Sequence, residues 1–198
     1  MTQIDCIGIS KRFNGDILFR DFTYKFKNTN KYAIIGENSS GKSTLLKIIG
    51  GVLSATKGEI NYSSDINQSN QISYSSPEMN LLNEYSIQEL FDFHFQFKKP
   101  KISIKEQLIT SKLIDCKDKK YNTLSSGMIN KVKLSLAIFT DSPVLLLDEP
   151  CTNFDDENNK WFTQMIDKYC NNQLIIVASN NSYEYSFCNE KINTQHFK

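Results

Sequence analysis

Residues 36–43 have the types and spacing needed to hold a phosphate group. They read GENSSGKS and fit the pattern G-x-x-x-x-G-K-[ST]. Gly36 and Gly41 let the backbone wrap a phosphate, backbone amides and the start of a helix attract its charge, and Lys42 can reach the β- and γ-phosphates. The hydroxyl of Ser43 is suited to Mg²⁺. The nucleotide-binding residues predicted from this loop are Gly36, Glu37, Asn38, Ser39, Ser40, Gly41, Lys42, Ser43 and Thr44.

A pair of adjacent acids forms the second candidate centre. Asp148 and Glu149 directly follow the apolar run of residues 144–147. Asp148 can bind Mg²⁺ through its water shell, and Glu149 is a candidate base that orients an attacking water. A strand that ends in solvated acids has the same pattern. The phosphate loop upstream favours the metal site, with Ser43 and Asp148 as the metal-binding residues.

Buried strands are expected to hold both centres. Tyr32 to Ile35 is a continuous apolar run before the phosphate loop, and the helix that starts near Lys42 should end at Gly50-Gly51. VLLLD at residues 144–148 and QLIIVAS at residues 173–179 are two further apolar runs, each preceded by a helical segment. This alternation predicts an α/β fold with a mainly parallel sheet.

Other segments predict structure around this sheet. Residues 4–9 and 17–27 predict two strands joined by a hairpin turn at Asn14-Gly15, which gives an antiparallel region before the phosphate loop. Residues 58–62 and 72–74 predict short strands on either side of an exposed polar loop at 63–70. Residues 83–120 have a helical and charged pattern. The length of the chain predicts one domain, residues 1–198.

Composition argues against several classes of protein. A net charge of +1, 39% apolar residues and 23% charged residues are typical of an ordinary globular protein and do not favour a nucleic-acid surface. The five cysteines are scattered and lack C-x-x-C spacing, which indicates reduced thiols and neither a disulfide framework nor a zinc site. No apolar stretch approaches the length of a membrane span, and no leader-like segment opens the chain.

Several motifs in order carry a resemblance to a known family. GENSSGKST, LSSGM (Leu124 to Met128), LLLDEP and TNFD follow one another at separations similar to those in the nucleotide-binding subunit of ATP-binding cassette (ABC) proteins. The segment LSSGM, named the signature below, distinguishes this family from other proteins with a phosphate loop. The resemblance spans nearly the whole chain. It implies an ABC-type core with an N-terminal antiparallel β subdomain and a short helical subdomain at about residues 78–125.

The resemblance implies a pair of subunits that face each other head to tail. Each ATP would lie between the phosphate loop of one subunit and the signature of the other, with Ser125, Ser126 and Gly127 as the residues that approach it. The chemistry agrees, since a serine hydroxyl and a backbone amide at a helix start are donors suited to a γ-phosphate. Ser125 could equally be a simple N-cap of a helix that begins near Met128.

Two further positions are carried over from the family. Phe13 in SKRF matches the aromatic residue that stacks on adenine, although a core phenylalanine at a strand end would have the same pattern. Asp155 matches the acid of a loop that communicates between the two ATP sites. The helical subdomain matches the part that contacts the membrane partner in transporters.

Several positions depart from the family pattern. Ser39 replaces a glycine, which is tolerable if its φ angle is negative. Ser126 and Met128 replace glycine and glutamine in the signature, so that contact is expected to be looser. Either Pro77 or Glu78 occupies the place of a glutamine that senses Mg²⁺ and the attacking water.

The largest departure is Asn180, which replaces a histidine that contacts the γ-phosphate. Asparagine donates a neutral hydrogen bond and carries no positive charge, so stabilisation of the transition state is expected to weaken. Lys42, Asn180 and Glu149 are the predicted catalytic residues. We expect slow but measurable ATP hydrolysis with Mg²⁺ as the metal ion.

The leading hypothesis is an ATP-binding and ATP-hydrolysing subunit that energises a separate membrane permease by ATP-driven dimer closure, on the cytoplasmic face of the cell membrane. The expected partners are the permease and a second ABC subunit, identical or different; no nucleic-acid partner is expected. The short chain resembles in particular the small exporter-type members of the family, including haem-exporter subunits. The alternatives are a soluble ABC-type ATPase that acts on nucleic acid or the ribosome, and a regulatory cassette with little turnover.

One segment has two interpretations. ELFDFHFQFKK at residues 89–99 repeats phenylalanine at every second position, yet its apolar residues also fit helical spacing. A helix cannot bury all four rings on one narrow stripe. We favour a subdomain core, with a docking surface for a partner's helix as the alternative.

Overall fold

The computed structural model describes residues 1–64, 66 and 71–197. Within these ranges the chain has a mixed α/β fold, in which a parallel sheet lies beside a separate antiparallel sheet and helices pack around them. This confirms the predicted fold class. No helix in the same ranges is long and apolar enough to span a membrane. The five cysteines are free thiols.

The antiparallel sheet is built from the N-terminal part of the chain. Its strands are β1 (Gln3–Phe13), β2 (Asp16–Lys27) and β4 (Lys57–Tyr62), in the order β2-β1-β4. Asn14 and Gly15 join β1 to β2 with φ angles of 49° and 97°. Two successive positive φ angles are what a two-residue hairpin turn needs, so the predicted hairpin is confirmed.

The parallel sheet brings three chain segments to one edge. Its strands are β3 (Lys31–Ile35), β5 (Ile72–Ser75), β6 (Val144–Asp148), β7 (Leu174–Ala178) and β8 (Glu190–Asn193), in the order β5-β6-β7-β3-β8. Ala178 at the end of β7 lies opposite Asp148 on one side and Ile34 on the other. Because these strands are parallel, the segments that follow β3, β6 and β7 all leave the same edge.

Helices cover both faces of this sheet, since every residue of β6 and β7 is buried. The helices of the described ranges are α1 (Lys42–Ile49), α2 (Ile87–Phe97), α3 (Ile104–Thr110), α4 (Ser126–Phe139) and α5 (Asp156–Tyr169). Of these, α2 and α3 contribute their buried apolar residues to a separate core cluster beside α4. Helix α1 packs on β6 and β7, and α4 packs on β5 and α5. Short 3₁₀ helices occupy Ile114–Cys116, Tyr121–Thr123, Ser182–Tyr185 and Thr194–Phe197.

The region predicted to be helical at 83–120 contains two helices with a break between them. Ser86 with Glu89 and Ser103 with Glu106 form capping boxes, so each serine fixes a helix start. Pro100 lies in the break, where its ring prevents the first helix from continuing. Of the loop predicted to be exposed at 63–70, Ile66 is buried, and residues 65 and 67–70 lie outside the described ranges.

The phenylalanines of α2 divide between the interior and the surface. Phe91 is fully buried and Phe95 is half-buried against the core, whereas Phe93 and Phe97 are 41% and 66% exposed. The exposed rings stack edge to face, with Tyr85 on the other side of Phe93. The subdomain-core interpretation therefore holds for Phe91 and Phe95, and the exposed rings leave the docking surface as a prediction.

Candidate functional site

The phosphate loop runs from the end of β3 into α1. Lys42 is the first residue of α1, is buried, and donates from Nζ to the carbonyl oxygens of Gly36 at 3.0 Å and Glu37 at 2.9 Å. Burial lowers the pKa of Lys42, while the charges of Glu149 and Asp148 oppose that effect. The ammonium group is thus held inside the loop by acceptors, on the same side as the two acids.

Backbone geometry explains one glycine of the loop and corrects one expectation. Gly41 has φ of 95°, and a Cβ atom there would lie 2.9 Å from the ring of Phe19 and 3.0 Å from Leu18. Only glycine fits this position without movement of its neighbours. Ser39 has φ of 61°. The condition of a negative φ at Ser39 was wrong, so this serine occupies a left-handed conformation that favours glycine.

Ser43 and Asp148 meet although 105 residues separate them in the chain. The hydroxyl of Ser43 donates to Oδ1 of Asp148 at 2.9 Å, and Asp148 is 3% exposed. Burial raises the pKa of Asp148 to about 6, against the effect of the hydrogen bond from Ser43. A hydroxyl and a buried carboxylate are the hard oxygen donors that Mg²⁺ prefers, so this pair fits the predicted ion.

Glu149 begins the turn that follows β6, and its backbone is strained. Its φ is 41°, its amide donates to the carbonyl of Ala178 at 2.9 Å, and its own carbonyl accepts from the Thr152 hydroxyl at 2.9 Å. The left-handed conformation turns the chain sharply after Asp148, so that neighbouring acids can take different roles. Asp148 points into the protein and Glu149 lines an open cleft.

That cleft joins the phosphate loop to Phe13. It has a volume of about 370 Å³ and is lined by Phe13, Leu18, Asn38, Ser39, Gly41, Lys42, Ser43, Thr44 and Glu149. Phe13 is 47% exposed, which excludes the alternative of a core phenylalanine. Lys11 places Nζ 4.9 Å from the centre of the Phe13 ring. An exposed ring beside a phosphate loop is available to stack on a base.

Two other residues of the loop have partners in distant segments. The amide of Asn180, just beyond β7, donates to Oδ1 of Asn38, so the position expected to contact the γ-phosphate lies beside the loop. Ser40 is buried, and its hydroxyl is bonded to that of Thr194 at 2.7 Å. Ser40 therefore supports the shape of the loop from behind and does not line the cleft.

The two serines of the signature lie on the surface, Leu124 is buried, and none of the signature residues lines this cleft. Ser125 and Ser126 are exposed, and the Ser125 hydroxyl accepts from the amide of Met128 at 3.3 Å as the N-cap of α4. A Cβ atom on Gly127 would lie 3.0 Å from the carbonyl oxygen of Asn153. Asp155 is exposed as the N-cap of α5. These residues cannot complete the cleft of their own chain, but they are open to a neighbour.

Pro77 and Glu78 connect the site to two helices in different ways. The Pro77 carbonyl accepts from Nζ of Lys133 on α4 at 2.6 Å. The Glu78 carboxylate is paired with Lys47 on α1. The glutamine position is therefore held between the signature helix and the helix of the phosphate loop, whichever of the two residues occupies it.

Three polar residues near the site were missed from the sequence. Asn130 and Glu184 are buried and contact the turn after Glu149, and Thr194 supports Ser40. The local sequence around each is unremarkable in composition. Their importance comes from contacts between distant segments, which spacing along the chain does not reveal.

A phosphate loop between a parallel strand and a helix, facing a buried serine-aspartate pair, defines the class of P-loop nucleotide-binding proteins. Comparison gives the family. The model of the ABC transporter family matches residues 19–152, more than half of the chain, so the chain belongs to the ABC transporter family. Proteins of this family are ATPases.

Individual relatives agree with this assignment. An ABC transporter ATP-binding protein of Methanosarcina acetivorans is 28% identical over 90% of this chain and 73% of its own length. Elongation factor 3 of Mycosarcoma maydis is 26% identical over 96% of this chain, which spans 17% of that protein. The dimeric cassette MJ0796, solved in a post-hydrolysis state with ADP and Pi, superposes with a TM-score of 0.81 at 19% identity, over 96% of this chain and 93% of that one. This last likeness shows the fold.

Proposed function

We propose that the chain is the ATP-binding and ATP-hydrolysing subunit of an ABC transporter and energises a separate membrane permease through closure of a dimer. The arrangement of the two halves of the ATP site carries this proposal. One half, which includes Phe13, the phosphate loop and Glu149, lines a single cleft. The other half, at Ser125 and Ser126 of the signature, is exposed and does not line that cleft. A complete site then requires a second copy or a related subunit.

Each residue has a role that its position supports. The phosphate loop and Lys42 bind the β- and γ-phosphates, and Phe13 stacks on the base. Ser43 and Asp148 would hold Mg²⁺, which supplies positive charge to the phosphates when bound. Glu149 orients the attacking water and accepts its proton. Ser125, Ser126 and Gly127 of the second subunit donate to the γ-phosphate, and Asp155 lies beside that interface.

Dimer closure is tested by gel filtration of Glu149→Gln, which should trap ATP without hydrolysis. We expect this variant to elute as a dimer with Mg-ATP and as a monomer without it. Adding Ser126→Glu to it should abolish the dimer but leave ATP binding to the monomer intact, because a carboxylate would repel the γ-phosphate. The matched control is Glu149→Gln with Asn171→Glu in place of Ser126→Glu, because Asn171 is exposed at the opposite edge of the sheet. This control should still form the dimer. A dimer that persists in the Ser126→Glu variant would contradict the proposed interface.

Slow turnover is the second part of the proposal. Asn180 is bonded to Asn38 and offers one neutral donor, whereas a histidine could carry a positive charge toward the γ-phosphate. Purified Asn180→His should hydrolyse ATP about tenfold faster than the parent, as expected when a transition-state donor improves. A rate equal to that of the parent would argue against this account. Asn171→His, at an exposed position at the opposite edge of the sheet, is the control.

The permease is expected to contact the surface that includes Tyr85, Phe93 and Phe97. These side chains are 36%, 41% and 66% exposed and form one connected aromatic patch. An exposed apolar patch of this kind favours docking of a partner's helix. Contact with the permease through this patch would hold the protein at the membrane, on the cytoplasmic face that the family resemblance implies. The residues from about 78 to 125 would act as the helical subdomain of a single cassette that spans residues 1–198.

Purification from membranes of the source cell distinguishes a transporter subunit from a soluble factor. A tagged parent should co-purify with a polytopic membrane protein, and Phe93→Ser with Phe97→Ser should lose it while hydrolysing ATP at the parental rate. The similarity to elongation factor 3 favours ribosomes as the alternative partner. Co-purification with ribosomes and with no membrane protein would replace the transporter by that alternative.

A further inference from the structure

The turn that carries Glu149 is held from the side of the signature helix by a buried amide. Asn130 on α4 donates from Nδ2 to the carbonyl oxygen of Pro150 at 2.7 Å and to that of Thr152 at 2.9 Å. Asn130 is 5% exposed. The side-chain amide of Asn130 therefore donates both of its hydrogens to a single turn of another segment.

A buried carboxylate from a different segment also holds this turn. Glu184 accepts from the amide of Cys151 at 2.8 Å through Oε1, and Oε2 accepts from the hydroxyl of Ser179. It is 4% exposed. Burial raises the pKa of Glu184, and the two hydrogen bonds counteract that effect. Because Ser179 directly precedes Asn180, one carboxylate joins the segment after β6 to the segment after β7.

The turn needs such support because its conformation is strained. Glu149 and Asn153 have φ angles of 41° and 64°, which residues other than glycine rarely adopt. Conformations of this kind persist where the surroundings impose them. Asn130 and Glu184 make their hydrogen bonds to Pro150, Cys151 and Thr152, which are the residues between the two strained positions.

We propose that Asn130 and Glu184 are positioning residues for ATP hydrolysis, which together hold Glu149 where it can act on the attacking water. Neither residue touches the nucleotide cleft. The inference rests on the proposed ATPase activity. It adds two residues, on α4 and beyond β7, through which the signature helix and the Asn180 segment set the geometry of the candidate base.

Steady-state kinetics of Glu184→Ala test this role. We expect kcat to fall about 10- to 100-fold, since a small misplacement of a catalytic group has an effect of this size. KM for ATP should stay within about twofold, because the residues that bind ATP are untouched. Glu184→Gln should restore most of kcat, since its amide can accept from Cys151 and donate to Ser179. Asn130→Ala should lower kcat in the same way.

The matched control is Gln107→Ala. Gln107 is a fully buried polar residue on α3 that donates to the carbonyl of Ile102 at 2.8 Å, far from Glu149 along the chain. This variant should lose stability without losing kcat. If Glu184→Ala fails to fold, Asn130→Ala and the milder Ser179→Ala decide the matter. Parental kcat in the folded variants, or an equal fall in Gln107→Ala, would overturn the inference.

A second readout is independent of turnover. Trp161 is the single tryptophan of the chain, and its ring centre lies 6.2 Å from that of Phe154 in the same turn. Acrylamide should quench Trp161 more strongly in Glu184→Ala than in the parent, with parental quenching in Glu184→Gln. If the parent fails to hydrolyse ATP, the proposed function fails, and this measurement alone tests whether Glu184 holds the turn. Unchanged quenching in Glu184→Ala would overturn it.

Discussion

The two edges of the parallel sheet both hold buried polar groups, but they use them differently. At the carboxyl edge, Ser39 and Glu149 keep left-handed backbones beside an open cleft. At the amino edge, Lys101 donates from Nζ to the carbonyls of Ile138 at 2.7 Å and Tyr169 at 2.8 Å and to the side chain of Gln173 at 2.8 Å.

The carboxyl edge therefore has a strained backbone, whereas the amino edge has buried acceptors whose hydrogen bonds are satisfied. Lys101 satisfies the last carbonyl groups of α4 and α5, which a helix end otherwise leaves without partners. The carboxyl edge instead retains conformations that cost free energy and are tolerated at sites that act on ligands. We infer that substitutions at the carboxyl edge change activity most, and that substitutions at the amino edge change stability most.

The largest effect is expected from Glu149→Gln at the carboxyl edge. Loss of a general base lowers kcat by about 100- to 1000-fold, whereas the free energy of unfolding should barely change because the amide is isosteric. Single-turnover hydrolysis and urea denaturation measure the two quantities. A variant with parental kcat would remove Glu149 from its role and weaken the contrast between the edges.

Lys101→Met should have the opposite profile. Removal of Nζ leaves buried acceptors at two helix ends without a donor, so the free energy of unfolding should fall by about 2 to 3 kcal/mol. The KM and kcat for ATP should be those of the parent. Lys99→Met is the matched control, because Lys99 is exposed and paired with Asp141, and its loss should leave stability unchanged. Lower kcat without lower stability in Lys101→Met would break the comparison.

The carboxyl edge was largely predictable from sequence, and the amino edge was not. Phosphate chemistry imposes residue types at fixed spacing, so the loop at 36–43 and the acids after β6 could be read directly, together with the strands that carry them. Lys101 carries no such pattern, because its acceptors are backbone carbonyls from two helices far along the chain. The condition of a negative φ, under which we expected Ser39 to be tolerable, is not met either, because its φ is 61° and nothing in the local sequence indicates this.

The next effect in size is expected from protonation of His94, which should lower the free energy of unfolding through a contact at the amino edge. Thr140, which follows α4, donates its hydroxyl to the Leu136 carbonyl at 2.7 Å, so it accepts from Nε2 of His94 at 2.9 Å. Burial, and then the charge of Lys98, lower the pKa of His94 to about 4. The folded state favours neutral His94. The stability that this contributes to the protein is present above the pKa of the unfolded chain, and it is lost as the pH falls from about 6.5 toward 4.

Urea denaturation at pH 7 and pH 5 measures this effect. The parent should lose about 1 to 2 kcal/mol more on acidification than His94→Gln, whose amide can donate to Thr140 but does not titrate. His196→Gln, near the end of the chain, is the control for loss of a histidine. Equal pH dependence in the parent and His94→Gln would show that burial does not lower the pKa of His94 in the folded state.

Ser39→Gly gives the smallest effect and the most direct measure of strain at the carboxyl edge. A serine with φ of 61° is less favourable than a glycine there, although glycine loses more entropy on folding, so the net gain in unfolding free energy should be about 0.5 to 1 kcal/mol. Ser64→Gly, at an exposed position outside the phosphate loop, should not raise the free energy of unfolding. If Ser39→Gly is less stable than the parent, the left-handed serine is compensated by its neighbours. The strain at this edge would then reside at Glu149 and Asn153, in the turn that Asn130 and Glu184 hold.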